Sequence, residues 1–214
     1  MPQSQSVIDT IARCFDDDTY SDLIIKCRDC SWNVHREAHT GVIDLDDDDP
    51  VPVEIMLKYF YTGKYNEPIY ESEKLGLQLQ VQVLTYILAD KYDVPTLMGL
   101  AQKMFKSTLS GGATSEEYLS VVSDVYAIST STNALRAIAV DHARTNFRDM
   151  MRSDDLEILR ATLEDVPEFA FDVLQLFANA PLRGHCYSCG PNQTAEALQA
   201  RCTKCGKGGI SLTH

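Results

Sequence analysis

Residues 31–50, SWNVHREAHTGVIDLDDDDP, decide how the first half of the chain is read. Trp32 to His35 and Val42 to Leu45 have the composition of short β-strands, little separates them, and four aspartates follow. The aspartates belong to what comes next. Asp49 directly before Pro50 is the pattern of an N-cap with proline at the first helical position, and acidic side chains there suit the positive end of the helix dipole. Behind them Val53, Met56, Leu57, Phe60 and Tyr61 make one apolar helical face, closed by Gly63. Calcium loops space their carboxylates as D-x-D-x-D with a turn glycine, so the run reads as a solvated cap and not as a metal site.

Upstream, Val7, Ile8, Ile11, Ala12 and Phe15 fall at helical spacing and predict a short N-terminal helix within residues 1–19. "SDLIIKC" and "SWNVH" then predict a hairpin turning at Arg28-Asp29, with "GVIDL" as a third strand. Downstream, an apolar stripe of Leu77, Val81, Leu84 and Leu88 predicts a helix that stops at "DVP". Asp93 and Pro95 restart a helix carrying Leu97, Leu100, Ala101, Met104 and Phe105. Thr114 to Glu117 has the form of a capping box. Three helical patterns follow, at 116–129, 132–151 and 153–180, the last broken at Pro167. Their apolar faces are Tyr118, Val122 and Val125; Leu135, Ile138 and His142; and Phe169, Val173, Leu174 and Phe177. The fold class is α+β.

The 214 residues suffice for one generous domain or two small ones, and 44% hydrophobic content is enough for a core. The formal net charge of -12 disfavours non-specific attraction to nucleic acid or anionic lipid. Residues 181–214 differ: four basic residues stand against one acidic, +3, which leaves -15 on residues 1–180. That shift marks a boundary at the start of the tail. Seven cysteines and no basic-then-apolar leader argue against a secreted disulfide framework. No membrane-spanning run is present in the sequence, and an intracellular protein of nucleus or cytoplasm is expected.

Taken together, "YSDLIIKC…WNVHR", "GVIDLDDDDPVPVEIMLKYFYTGKY" and "LTYILADKYDVPTLMGLAQKMFKSTL" resemble the BTB/POZ fold in the version abundant in fungi. Tyr20-Ser21-Asp22, His35-Arg36, Tyr61-Thr62-Gly63 and Ala89-Asp90-Lys91-Tyr92 all stand where that family has them. The resemblance implies a BTB/POZ-like domain over 20–110, a helical extension over 114–180, and a separate tail over 181–214. It also implies a gap. Family members place a helical hairpin between the His-Arg pair and the Glu-Ala before the third strand, whereas here Arg36 runs straight into Glu37. An alternative transcript, a gene-model error and a genuine truncation would all leave this junction near 36–37. Loss of the hairpin is expected to leave Ile24, Val34 or Ile43 partly uncovered, and to disturb self-association by the family's usual route. From the family, Asp22 and Arg36 match a charged pair lining a pocket at the dimer interface of transcription-factor members. A strand-capping Asp22 and a solvated Arg36 are the plainer alternative. Glu37 would end the hydrophobic-x-Glu pattern by which some members dock on cullin scaffolds, but His35 breaks that pattern.

The strongest chemical signal is CYSCGPNQTAEALQARCTKC at 186–205. Its two C-x-x-C pairs, each followed by a glycine, are the pattern of two knuckles that complete a tetrahedron of Cys186, Cys189, Cys202 and Cys205 around one structural zinc. Free thiols, a redox dithiol and an iron site are the alternatives. His185 and His214 are spare donors that four cysteines make unnecessary. Cys27 and Cys30 form a third C-x-x-C with no second pair nearby, and read as a turn coincidence. His35 reads as a hydrogen-bonded edge histidine; His39, Asp44 and Cys27 nearby lack a catalytic order.

These features point to a non-enzymatic protein–protein interaction module, an adaptor or scaffold linked to ubiquitin-ligase or transcriptional complexes. Its expected partners are proteins, a cullin scaffold or a second copy among them, rather than nucleic acid or membrane. The alternative is a nucleic-acid-associated regulator that uses the zinc-binding tail, on a thin footprint of four basic residues and Tyr187.

Overall fold

The structure is a computed structural model that describes residues 11–15, 17, 19, 21–35, 41–65, 75–128, 134–152, 154–179, 183–195, 201–208 and 210–212. It is mixed α+β and divides into two compact units, Met1–Thr108 and Leu109–His214. Of the expected N-terminal helix, residues 11–13 are helical and its start lies outside the described residues. No helix among the described residues is long and apolar enough to cross a membrane.

In the first unit, β1 (Leu23–Cys27) and β2 (Cys30–Val34) form the expected antiparallel hairpin, and the turn residue Arg28 takes a left-handed φ of 52°. The third strand, β3 (Gly41–Asp44), pairs with β1 in parallel, so the order is β2-β1-β3. Alternation does the sorting. Leu23, Ile25, Cys27, Trp32 and Val34 are buried on one face, while Ile24 and its register partner Val42 point the other way and are 38% and 57% exposed. Ile43, beside Ile25 at the sheet edge, is 39% exposed. Ile24 is thus partly exposed on the outward face and Ile43 at the edge of the packed one, whereas Val34 is buried because it shares the packed face with Leu23.

The covered face packs against helices. α1 (Pro50–Thr62) starts as its sequence requires: the Asp49 side chain accepts from the backbone N–H of Val51 at 3.0 Å, Pro50 takes the first turn, and Gly63 closes the helix at φ 64°. Its buried residues are Pro52, Val53, Ile55, Met56 and Leu57. This is wider than one stripe; in the later turns Tyr59 and Tyr61 still pack against the core, half-buried, while Phe60 is 56% exposed. α2 (Leu75–Lys91) is buried on several sides, with Leu79, Val81, Val83, Tyr86, Leu88 and Ala89 all inside. Leu77, expected in the stripe, is exposed. Asp93, at φ 53°, breaks the chain before α3 (Pro95–Ser110), as "DVP" indicates.

The second unit opens with α4 (Ser115–Leu119), whose capping box is complete. Thr114 N–H donates to Glu117 Oε2 at 2.8 Å, and Glu117 N–H donates to Thr114 Oγ1 at 3.2 Å. The pattern read as one helix over 116–129 is two, because the chain kinks after Ser120 into α5 (Val122–Ala127). α6 (Ala134–Met150), α7 (Leu156–Asp165) and α8 (Pro167–Asn179) follow, with the break at Pro167 where proline removes a donor. Tyr118 is fully buried among them. Its hydroxyl donates to Ala139 O at 2.8 Å, and its ring packs on His142 and Phe169. Leu174, expected on the apolar face of α8, is 67% exposed because Phe169 and Val173 set the buried side. The unit ends in a small sheet of β4 (Arg183–Cys186), β5 (Gly190–Thr194) and β6 (Ile210–Leu212), ordered β5-β4-β6.

Candidate metal centre

The tail folds so that its cysteines converge. β4 delivers Cys186 at its end, a tight turn delivers Cys189, and β5 leads to an isolated bridge between Ala195 and Cys202 that starts the second knuckle. The glycines after each pair take the left-handed backbone expected of them, Gly190 at φ 88° and Gly206 at φ 68°. Gly206 N–H closes the second knuckle on Cys202 O at 2.8 Å, and Cys202 N–H donates to Lys207 O at 3.0 Å.

The four sulfurs of Cys186, Cys189, Cys202 and Cys205 all lie within 4.8 Å of one another. Cys186 Sγ and Cys205 Sγ are 3.8 Å apart. Four thiolates at about 2.3 Å from a central ion would be about 3.8 Å from each other on the edges of a tetrahedron. The set therefore fits one tetrahedral ion. Among the described residues it is the one group of three or more Cys, His, Asp or Glu side chains placed to hold a metal.

Burial and charge within the set are uneven. Cys186 and Cys202 are buried, Cys189 is half-buried and Cys205 is exposed. The backbone N–H of Ser188, with that of Cys189, points at the Cys186 sulfur and pulls its thiol down to about 7. Such donors prepare a thiolate for a cation before the cation arrives. Cys189 is pushed the other way, to about 12, chiefly by its hydrogen bond with Cys205, because four crowded sulfurs cannot all ionise without a positive charge among them. The ribbon's buried cluster is Cys186, Ala195 and Cys202, with Cys189 packed against it. Two of its three members are candidate ligands.

The other candidates are less constructive. Asp22 extends both ladders through its backbone: its N–H donates to Val34 O and its C=O accepts from Gly41 N–H, each at 3.3 Å. Arg36 and Glu37, the two sides of the expected deletion, lie outside the described residues, as do His39 and His214. Cys27 is buried, donates to Asp48 O at 3.4 Å, and has its thiol pushed up by burial, whereas Cys30 across the turn is exposed. His35 is fastened at both ends. Its backbone N–H donates to Tyr61 Oη at 2.9 Å, and its ring nitrogens lie 3.2 Å from Tyr61 Oη and from Thr19 O. His185 is exposed with its ring against Tyr187.

Two polar clusters escape the sequence reading. Asp48, expected to be solvated, has a side chain only 9% exposed that accepts from Lys91 Nζ at 2.8 Å and from Tyr92 Oη at 2.6 Å. In the second unit the Arg136 guanidinium lies 4.7 Å from the Tyr126 ring and donates to Tyr126 O and Ile128 O, while Tyr126 Oη donates to Asp172 at 2.8 Å. Burial first, then Asp172, holds that phenol protonated. Neither cluster can be read locally, since the partners of Asp48 are more than forty residues away and Tyr126 and Asp172 are 46 apart. No family model and no curated protein matches the chain.

Proposed function

We propose that the chain is a non-catalytic adaptor: a BTB/POZ-like module short of one helical hairpin, a helical extension, and a ribbon held by structural zinc. The observation that carries the first part is the sheet. With β3 parallel to β1 and antiparallel β2 on the other side, the end of β2 at Val34 and the start of β3 at Gly41 both flank Leu23. A helical hairpin inserted between them would leave every strand pairing unchanged. It would also rise at one end of the sheet, next to the apolar pair Ile24 and Val42 that now faces outward.

Zinc is favoured over other ions by four soft sulfur donors at tetrahedral edge length, with no fifth protein donor among the described residues to hold a different geometry. A four-sulfur site leaves no open position for substrate, so the metal's role is to fold the tail. The adaptor activity then resides in protein surfaces, with cullin scaffolds or transcriptional complexes as the partner classes the resemblance implies.

Calorimetric titration of the purified chain with the N-terminal region of a cullin, and sedimentation of the chain alone, test the adaptor reading. Saturable binding to the cullin, or self-association that Val42→Glu abolishes, supports it. A monomer that binds no cullin, and whose state is indifferent to Val42→Glu, overturns the BTB-type reading of the first unit.

A further inference from the structure

β4 is the central strand of the ribbon, and its residues alternate. Gly184 and Cys186 are buried, while Arg183 and His185 face solvent. Tyr187 follows in the turn after β4 and is 83% exposed. Its ring stands edge-on to His185, the centroids 5.8 Å apart at 77°. Such exposure of an aromatic ring, on a backbone pinned between two candidate ligands, stabilises nothing within the fold. The second knuckle adds cations to the same small ribbon, Lys204 directly before the candidate ligand Cys205 and Lys207 two residues after it. Lys204 and Lys207 are exposed. In a chain of net charge -12, residues 183–195 and 201–208 contain no carboxylate side chain at all.

We propose that this face of the ribbon binds single-stranded nucleic acid, with a base stacked on Tyr187 beside His185 and flanking phosphates held by Arg183 and Lys204. An exposed aromatic ring on an element that also carries cations is the sequence-tolerant device for such strands, because every base has a π-face. The balance of charge also decides which element dominates. Four thiolates around a dipositive ion add two negative charges, so the metal-loaded tail is about +1 rather than +3. Phosphate attraction is then modest and stacking has to supply the difference, which makes Tyr187 the deciding residue. An acidic protein segment would instead depend on the cations and be indifferent to the ring.

The test is fluorescence anisotropy of the full-length, zinc-loaded chain with labelled oligo-dT and oligo-U of about 15 nucleotides, at about 25 mM and higher salt. Binding is expected at low salt and weakens with a log–log slope no steeper than about -3, set by four cations at roughly 0.7 per phosphate. Tyr187→Ala weakens it roughly tenfold or more while Tyr187→Phe leaves it nearly unchanged. Arg183→Gln reduces the slope by about 0.7. Because Tyr187 is exposed, zinc content should be the same in every variant, and measuring it confirms that the ribbon is folded. No binding at low salt overturns the proposal. So does binding that Tyr187→Ala leaves intact, or a glutamate-rich peptide that displaces the oligonucleotide with equal affinity.

Discussion

Removing the metal is expected to unfold the tail and leave the helices standing. The magnitude follows from how little else holds the ribbon. Its buried cluster is three small side chains, Cys186, Ala195 and Cys202, and burying each contributes about 1 kcal/mol, so packing supplies roughly 3 kcal/mol. Three such contacts cannot offset the conformational entropy lost in ordering two knuckles and three strands. A structural zinc contributes about 10–16 kcal/mol at neutral pH, several times what the packing supplies. With a high-affinity chelator, amide signals of residues 183–195 and 201–208 should collapse toward unfolded positions, and proteases should cut the tail. Far-ultraviolet helicity should barely change, since α4 to α8 have their own buried side chains. Elemental analysis should give one zinc per chain, lost when Cys189 and Cys205 are both changed to serine. Affinity should fall with decreasing pH, because each thiol that binds a proton is a ligand withdrawn. Retained zinc in the double variant, or a tail whose spectrum is unmoved by chelation, would show that no metal on these four cysteines holds the ribbon.

Asp48→Ala should destabilise the first unit by about 2–3 kcal/mol, the scale of a charge-assisted hydrogen bond plus a stranded phenol, and lower its melting temperature by roughly 10 °C; a loss under about 0.5 kcal/mol in denaturant melts would show the cluster to be incidental. The protonated forms of both partners are favoured in the fold, Lys91 by its hydrogen bond to Asp48 and Tyr92 by burial and then Asp48. The corresponding stability is present below about pH 10 and lost as pH rises through the raised values, so Asp48→Ala should flatten the alkaline limb of a stability profile. Inserting a helical hairpin of the BTB type between Arg36 and Glu37, as the proposed gap predicts, should raise the melting temperature and sharpen the transition; a present chain that already melts higher and more sharply would contradict the uncovered-sheet account. Gly190→Ala and Gly206→Ala have room for a methyl group but force a side chain into the left-handed region, so each should cost about 1–2 kcal/mol, read as a five- to thirty-fold weaker zinc affinity in competition titrations.

What was legible in the sequence was whatever one local rule decides. Asp49-Pro50 and Gly63 bound a helix because a cap needs a side-chain acceptor at one end and a left-handed residue at the other. Thr114 and Glu117 close on each other across a single turn. The metal-binding cysteines were readable because each knuckle is a local turn, and only the meeting of two knuckles is a long-range event. What was missed depends on neighbours. The stripes through Phe60, Leu77 and Leu174 satisfied helical periodicity, yet periodicity says nothing about where the surrounding core ends. The kink after Ser120 carries neither glycine nor proline to announce it. Asp48 looked like one of four equivalent aspartates, and only the arrival of Lys91 and Tyr92 sets it apart.

That same asymmetry bears on how the sheet of the first unit can survive with one face open. A three-stranded sheet needs cover on one face to be stable, and here the cover is fixed by two polar ties as well as by apolar burial. Past the end of β2, His35 is held by Tyr61 in the last turn of α1. Past the end of β3, Asp48 is held by Lys91 and Tyr92 at the end of α2. The residues supplying the grip are those of Tyr61-Thr62-Gly63 and Ala89-Asp90-Lys91-Tyr92, two of the stretches that carry the BTB/POZ resemblance. Their role is therefore to bind both outer strands to the helices on the packed face. Neither tie involves Ile24 or Val42, so gain or loss of a hairpin over the opposite face changes what the sheet exposes without releasing its register. On that account the open apolar pair costs solubility more than it costs fold, and whatever covers Val42, a restored hairpin or a partner, adds to a sheet already in place.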